Sequence, residues 1–280
     1  MSTSISSPDD SFFDAPDPRA LIRVFESAGF PPPRHAAEPD LFVRQQDVPG
    51  HDQAALADAR ILIVGAGGLG SWTALALARS GARSLTIVEP DRFDRTNAPR
   101  QLMFGRDVGE PKAIACARNI VDHMVAGGQI VAIPLPFAEA NVNVLLPADA
   151  ALFLVDNNAC RFAGIRFARE QHIPAVFAML SGDGMRVHAF LQGADPDDAC
   201  LHCALPNLDP DASAPCAAAT ITSCFLAAAF AVFFAHRAVM GWPHDVPRFN
   251  WREADLLGVA PDSVGTVTRR RDCPTCGHLS

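Results

Sequence analysis

The sequence predicts an α/β fold: a doubly wound, mainly parallel sheet with helices on both faces and a metal-stapled C-terminal region. Three observations carry this. Short apolar runs alternate with stretches of helical periodicity from residue 60 to about 180, an order that implies parallel strands joined by crossover helices. A glycine-rich turn joins the first run to the first helix, and two CxxC pairs stand late in the chain.

The predicted elements run in order as strand Arg60 to Val64, helix Leu69 to Ser80, strand Ser84 to Val88, helix Lys112 to Val125 and strand Gln129 to Ile133. Strand Ala151 to Val155, helix Cys160 to Gln171 and strand Ala175 to Met179 extend the sheet. After Leu191 the pattern breaks into an acidic, Pro-rich region, then an alanine-rich apolar helix and a tail with the second CxxC pair. Residues 1–40, rich in Ser, Asp and Pro, read as a partly disordered extension ahead of one domain over 41–280. Within it, Leu21, Ile22, Val24 and Phe25 predict a short amphipathic helix over Pro18 to Ala28, a candidate staple for another protein.

With 280 residues, 49% of them hydrophobic, the chain can bury a full core. Its net charge of -8 argues against nucleic acid as the principal partner, because phosphate-backbone binding needs clustered Lys and Arg. The first residues include early acids and no apolar core of a secretory signal, so a cytoplasmic protein is expected. Ala217 to Ala235 has no charge over nineteen residues, near the length of a bilayer span. Its many alanines, and the metal staple on either side of it, favour a buried core helix over a membrane one.

Gly65, Gly67, Gly68 and Gly70 follow a strand and open a helix, the setting in which small residues let backbone N–H groups approach phosphate oxygens. Glu89 ends the next strand, nineteen residues after Gly70, where an acid commonly holds ribose hydroxyls. This Rossmann-like signature predicts a nucleotide site but does not separate an NAD-dependent oxidoreductase from an ATP user.

Asn97, Arg100 and Gln101 follow, then Gly109-Glu-Pro-Lys112 at a helix start. Strand, GxGGxG, acidic strand end, NxxRQ and GxPK in this order resemble the ThiF/MoeB superfamily, bacterial relatives of ubiquitin-activating enzymes. Leu41-Phe42-Val43-Arg44-Gln45 resembles the family's aromatic-x-R-Q element, and Asp156-Asn157 with Arg161 its D-N-x-x-x-R. The likeness covers residues 41 to 277. It implies ATP-dependent adenylation of the C-terminal glycine carboxylate of a ubiquitin-like or sulfur-carrier protein, in a homodimer whose Arg44 reaches the other subunit's ATP. Asp156 would hold Mg²⁺. A position that is normally acidic in the family is Phe153 here.

The chemistry agrees. A carboxylate attacking the α-phosphate is already ionised, so catalysis reduces to positioning and charge neutralisation. Arg100, Lys112 and Arg44 supply cations, while Asn97 and Gln101 orient by neutral hydrogen bonds.

Eight cysteines in an intracellular chain read as metal ligands, reactive thiols or small hydrophobes. Cys200, Cys203, Cys273 and Cys276 have the spacing of a four-thiolate structural zinc site. Cys216, expected just before the apolar helix, resembles the family's thiol in position and would gain acidity at a helix N-terminus. Relatives that adenylate without such a thiol leave both a catalytic thioester former and a bystander open.

Among acceptor readings, the long N-terminal extension and the lack of a sulfurtransferase-like segment after the second CxxC pair favour a bacterial conjugation system with a downstream conjugating enzyme over sulfur transfer for thiamine or molybdopterin synthesis, and activation of a peptide stays open. A nicotinamide-dependent oxidoreductase would leave Arg44, Asn97, Arg100, Lys112 and the zinc without purpose. A noncatalytic scaffold would not need the phosphate-facing residues.

Overall fold

Five strands form the parallel centre of the sheet: β2 (Arg60–Val64), β3 (Ser84–Val88), β4 (Gly128–Ile133), β5 (Ala150–Phe153) and β6 (Ala175–Leu180). In this computed structural model, residues 18–32, 40–137, 147–212 and 218–277 are described. Among the described residues the sheet has nine strands in the order β1-β4-β3-β2-β5-β6-β7-β8-β9, with β1 (Arg23–Ser27), β7 (Arg186–Gln192), β8 (Trp251–Asp255) and β9 (Ser263–Gly265) antiparallel to their neighbours. The chain runs outward from β2 to β3 and β4 on one side and to β5 and β6 on the other. The switch point is therefore between β2 and β5, where the carboxyl ends of parallel strands leave a crevice.

Alternation along the strands sends successive side chains to opposite faces. Ile61 and Ile63 join one core with Leu85, Ile87 and Leu152, while Leu62 and Val64 join the other with Val88 and Phe153. Two short helices, α1 (Val43–Gln46) and α2 (Gln53–Asp58), precede β2. Leu56 of α2 packs into the first core, together with α3 (Gly70–Ser80), α4 (Lys112–Ile120) and α7 (Ile221–Met240). The second core is covered by α5 (Asn158–Glu170), α6 (Leu201–Ala204) and the four cysteines.

The predicted fold class and every predicted element from β2 to β6 are present, with ends displaced by a few residues. The helix predicted to Val125 ends at Ile120 and continues as a 3-10 turn to His123. The helix predicted over Pro18 to Ala28 is not formed. A 3-10 turn, Pro18–Leu21, leads instead into β1, which pairs residue by residue with β4, Arg23 opposite Ala132 and Ser27 opposite Gly128. Four closely spaced apolar residues fit either period, and the exposed edge of β4 decided it by offering backbone partners. Leu21 and Ile22 pack against the second core and Phe25 against the first, so the proposed external staple is an internal one. The antiparallel strands β7 to β9 were not predicted.

α7 is long and apolar enough to cross a membrane by length and composition alone. Here it buries Ala227, Phe230, Ala231, Phe234 and Ala235 against the sheet, the i, i+3, i+4, i+7 stripe of a core helix. It begins at Ile221, capped by Thr220, whose hydroxyl accepts from Ser223 N at 3.3 Å.

Candidate active site

A cleft of about 1060 Å³ opens at the switch point, at the carboxyl ends of β2 and β5. The glycine turn between β2 and α3 forms its floor. Gly65 has φ +100°, and a Cβ there would lie 2.6 Å from Leu154 O; a Cβ on Gly70 would run into Gly65 O. Only glycine lets the turn close on itself this tightly. Gly67 differs, because only Gln101 Nε2, at 3.8 Å, lies within reach of a Cβ there. Its hydrogens face the cleft, a cradle that suits a phosphate at the start of α3.

Glu89 is buried at the end of β3, where its carboxylate accepts from Ala66 N at 2.9 Å and Asp91 N at 3.0 Å. Burial raises its pKa against the pull of Lys112 and of these two bonds. Lys112, buried at the first position of α4, donates to Asp91 Oδ2 at 3.0 Å, and its backbone N–H to Asp91 O at 2.8 Å. Asp91 is a residue that reading the sequence left without a role; its place two positions after Glu89 was the available signal.

The loop between β3 and α4 brings in the NxxRQ residues. Asn97 is buried at the last position of a 3-10 turn capped by Asp94, its Oδ1 accepting from Asp94 N at 3.0 Å. Arg100 Nη1 donates to Thr96 O at 2.7 Å. Gln101 is 7% exposed and lies against Gly67, with Oε1 buried and without a partner among the described residues. Such an atom is a vacant acceptor that a ligand hydroxyl can satisfy.

Asp156 lies just past β5, exposed on the cleft wall. Asn157 caps α5 by accepting from Cys160 N at 2.8 Å, and Arg161, 9% exposed, donates to Val155 O at 2.7 Å and Asn158 Oδ1 at 2.6 Å. Burial lowers the pKa of Arg161, and Asp156 opposes that shift. The D-N-x-x-x-R pattern is thus a folded loop whose buried arginine ties down Val155 and Asn158 on either side of the aspartate. Phe153, in the place of the family's second acid, is buried and stacks on Phe177 at 5.4 Å between ring centres.

Gly65, Gly67, Gly68, Glu89, Asn97, Arg100, Gln101, Lys112 and Asp156 therefore share one cleft, and Gly70 closes its turn. Arg44 does not. It is exposed on α1, whose Gln45 donates to Ser80 O at the opposite end of α3 from the turn, roughly 16 Å away by helix rise. Cys216 lies outside the described residues. The apolar helix near which it was expected, α7, starts at Ile221. Cys160 and Cys224, to which the sequence assigned no chemistry, line the cleft.

On the face of the sheet that α5 covers, the sulfurs of Cys200, Cys203, Cys273 and Cys276 lie within 4.8 Å of one another. Three pairs are 3.9, 3.7 and 3.4 Å apart. Four thiolates about 2.3 Å from a central zinc sit about 3.8 Å from one another, so the cluster fits that ion. His202 turns away to Thr275 Oγ1 at 2.7 Å and Pro206 O.

The model of the ThiF family matches residues 42–275. The chain belongs to the ThiF family. The sulfur carrier protein adenylyltransferase of Thermus thermophilus is 28% identical over 86% of this chain and 91% of its own. The NEDD8-activating enzyme E1 catalytic subunit of Arabidopsis thaliana is 45% identical over 26% of this chain, a match spanning only 16% of that protein. Among solved structures, E. coli MccB with MccA-N7isoASN shares the fold at a TM-score of 0.66, with 17% identity over 80% of this chain and 68% of that one.

Proposed function

We propose that this ThiF-family protein is an adenylyltransferase that activates the C-terminal glycine carboxylate of a ubiquitin-like or sulfur-carrier protein with ATP. The observation that carries the reading is the convergence of the glycine turn, Glu89, Arg100, Gln101, Lys112 and Asp156 on one cleft at the switch point. The carrier's carboxylate oxygen bonds to the α-phosphorus while the bond to the bridging oxygen breaks and pyrophosphate leaves, with no proton to remove. Arg100 and Lys112 neutralise the charge spreading over the phosphates. Mg²⁺, when bound through Asp156, supplies further neutralisation. Glu89 and Gln101 orient the nucleoside. Beyond Asp156 the lining combines Phe137, Met179, Leu180 and Gly182 with the cations of Arg161 and Arg166, which suits an extended tail with little side chain that ends in a carboxylate.

Arg44 completes the cleft of a second subunit, since its own lies at the far end of α3. The four cysteines hold a structural zinc. The compartment is the cytoplasm, where ATP is at hand and thiols stay reduced.

Two acceptors fit the cleft. The Thermus relative, matched nearly end to end, supports a sulfur carrier. A bacterial conjugation system served by a downstream conjugating enzyme is the second branch. Its support from the long N-terminal segment is reduced by β1, which uses part of that segment in the sheet.

The test is ATP–pyrophosphate exchange with small candidate proteins ending in glycine. Arg100→Ala and Asp156→Ala should each lower kcat/KM about 100-fold or more, in the range of lost transition-state charge contacts. Exchange indifferent to both changes sinks the site assignment. In the same samples a thiol-sensitive carrier adduct that is absent in Cys216→Ser would make Cys216 the acyl acceptor, and its persistence there would exclude that role.

A further inference from the structure

The loop that carries Arg100 and Gln101 is fastened to the first turn of α3 at two points that flank Gln101. Trp72 Nε1 donates to Arg100 O at 2.9 Å. Leu102 N donates to Ser71 Oγ at 3.1 Å, and the same hydroxyl donates to Gly67 O at 2.8 Å. Ser71 is fully buried. A single hydroxyl therefore ties the phosphate turn to the loop, and an indole N–H ties the same loop one residue on the other side of Gln101.

The geometry points to Ser71 and Trp72 as positioning residues for the nucleotide: they clamp the Asn97–Gln101 loop onto the glycine turn, so that Arg100 and Gln101 meet one ligand at a fixed offset from Gly67. Neither residue contributes a charge. Their effect passes through Arg100 and Gln101, whose backbones would otherwise be held mainly by the loop's internal bonds to Asn97 O at 3.1 and 3.0 Å. Catalysis that depends on placement loses heavily from small displacements, so the clamp should matter more to binding and turnover than to folding. Phe225 covers the indole edge-on, 4.7 Å between ring centres, a contact that a phenyl ring at position 72 can keep.

This inference rests on the cleft being an ATP site, and the experiment separates the two. ATP binding is measured by calorimetry, without carrier, on the full chain and on Trp72→Phe, Ser71→Ala, Arg100→Ala and Trp72→Phe/Arg100→Ala; exchange kinetics and thermal unfolding follow on the same samples. The clamp predicts that Trp72→Phe and Ser71→Ala each weaken ATP binding by about three- to tenfold, the worth of one hydrogen bond. The kcat of exchange should fall as well, with Tm within about 2–4 °C of wild type. It also predicts coupling: the loss caused by Trp72→Phe should be smaller in the Arg100→Ala background than in wild type, the remainder being the share that passes through Gln101. Unchanged affinity and kcat in Trp72→Phe, or losses that multiply in the double variant, would overturn the clamp while leaving the adenylation reading intact. Wild-type protein that does not bind ATP would overturn both.

Discussion

Gly67 and Gly70 belong to the same turn and are glycine for different reasons, which separates folding from binding at single-residue resolution. A Cβ on Gly70 meets the backbone of Gly65, whereas one on Gly67 meets only the edge of Gln101 and projects into the cleft. Gly67→Ala should therefore leave Tm unchanged and weaken ATP binding by about tenfold or more, at least 1.4 kcal/mol. Calorimetry and thermal unfolding check it together, and a lower Tm with normal affinity would assign Gly67 to the fold. A second residue-scale effect is pH-dependent. Burial, then His51 and Arg237, push the His236 pKa down to about 4. A depressed histidine stays neutral in the folded state while the unfolded chain takes up a proton, so its contribution is complete above about pH 6.5 and is lost as pH falls toward 4. Between pH 7 and 5, wild type should lose on the order of 1 to 2 kcal/mol more stability than His236→Gln, read from denaturant midpoints. Equal losses would contradict the buried neutral state.

At the scale of elements, the two cysteine pairs sit on different pieces of structure, Cys200 and Cys203 at the start of α6 and Cys273 and Cys276 in the C-terminal turns. Bringing them together fastens the tail over the face of the sheet that carries Phe177 and Phe190. A structural zinc can be worth on the order of 10 kcal/mol to such a site. Purified protein should hold one zinc per chain, and Cys273→Ser or a strong chelator should lower Tm sharply and release the tail to proteolysis. A metal-free protein with unaltered Tm would reduce the cluster to packed thiols. The spacing of the cysteines was enough to expect this site, because ligands three residues apart share one turn. The strands β1 and β7 to β9 were harder to read: they are antiparallel additions at sheet edges, and their formation depends on backbone partners distant in sequence. Ser71, Trp72 and Asp91 are hard to read for the same reason, since their value lies in contacts with residues 21 to 31 positions away.

At the scale of the molecule, each chain contains one cleft and one Arg44, and the two are at opposite ends of α3. If a partner supplies the arginine, Arg44→Ala and Asp156→Ala should each be nearly inactive alone, yet mixing and reassembling them should restore about a quarter of wild-type exchange. Half of the dimers formed at random are hybrids, and one of the two sites in each is intact. No recovery, with hybrid dimers demonstrated by differential tags, would place Arg44 outside the chemistry.

By itself, the sequence determined the parallel α/β centre, the nucleotide turn, the ordered set of charged and amide residues, and the metal-binding spacing. All of these are encoded locally, in periodicity, in glycines where no side chain fits, and in residues a fixed turn apart. Only the tertiary structure decided that Pro18 to Ala28 yields an edge strand, that the apolar core helix begins at Ile221, and that Ser71 and Trp72 hold Arg100 and Gln101 against the turn. Those outcomes depend on which surfaces meet across the sheet, and that is set by packing between distant segments.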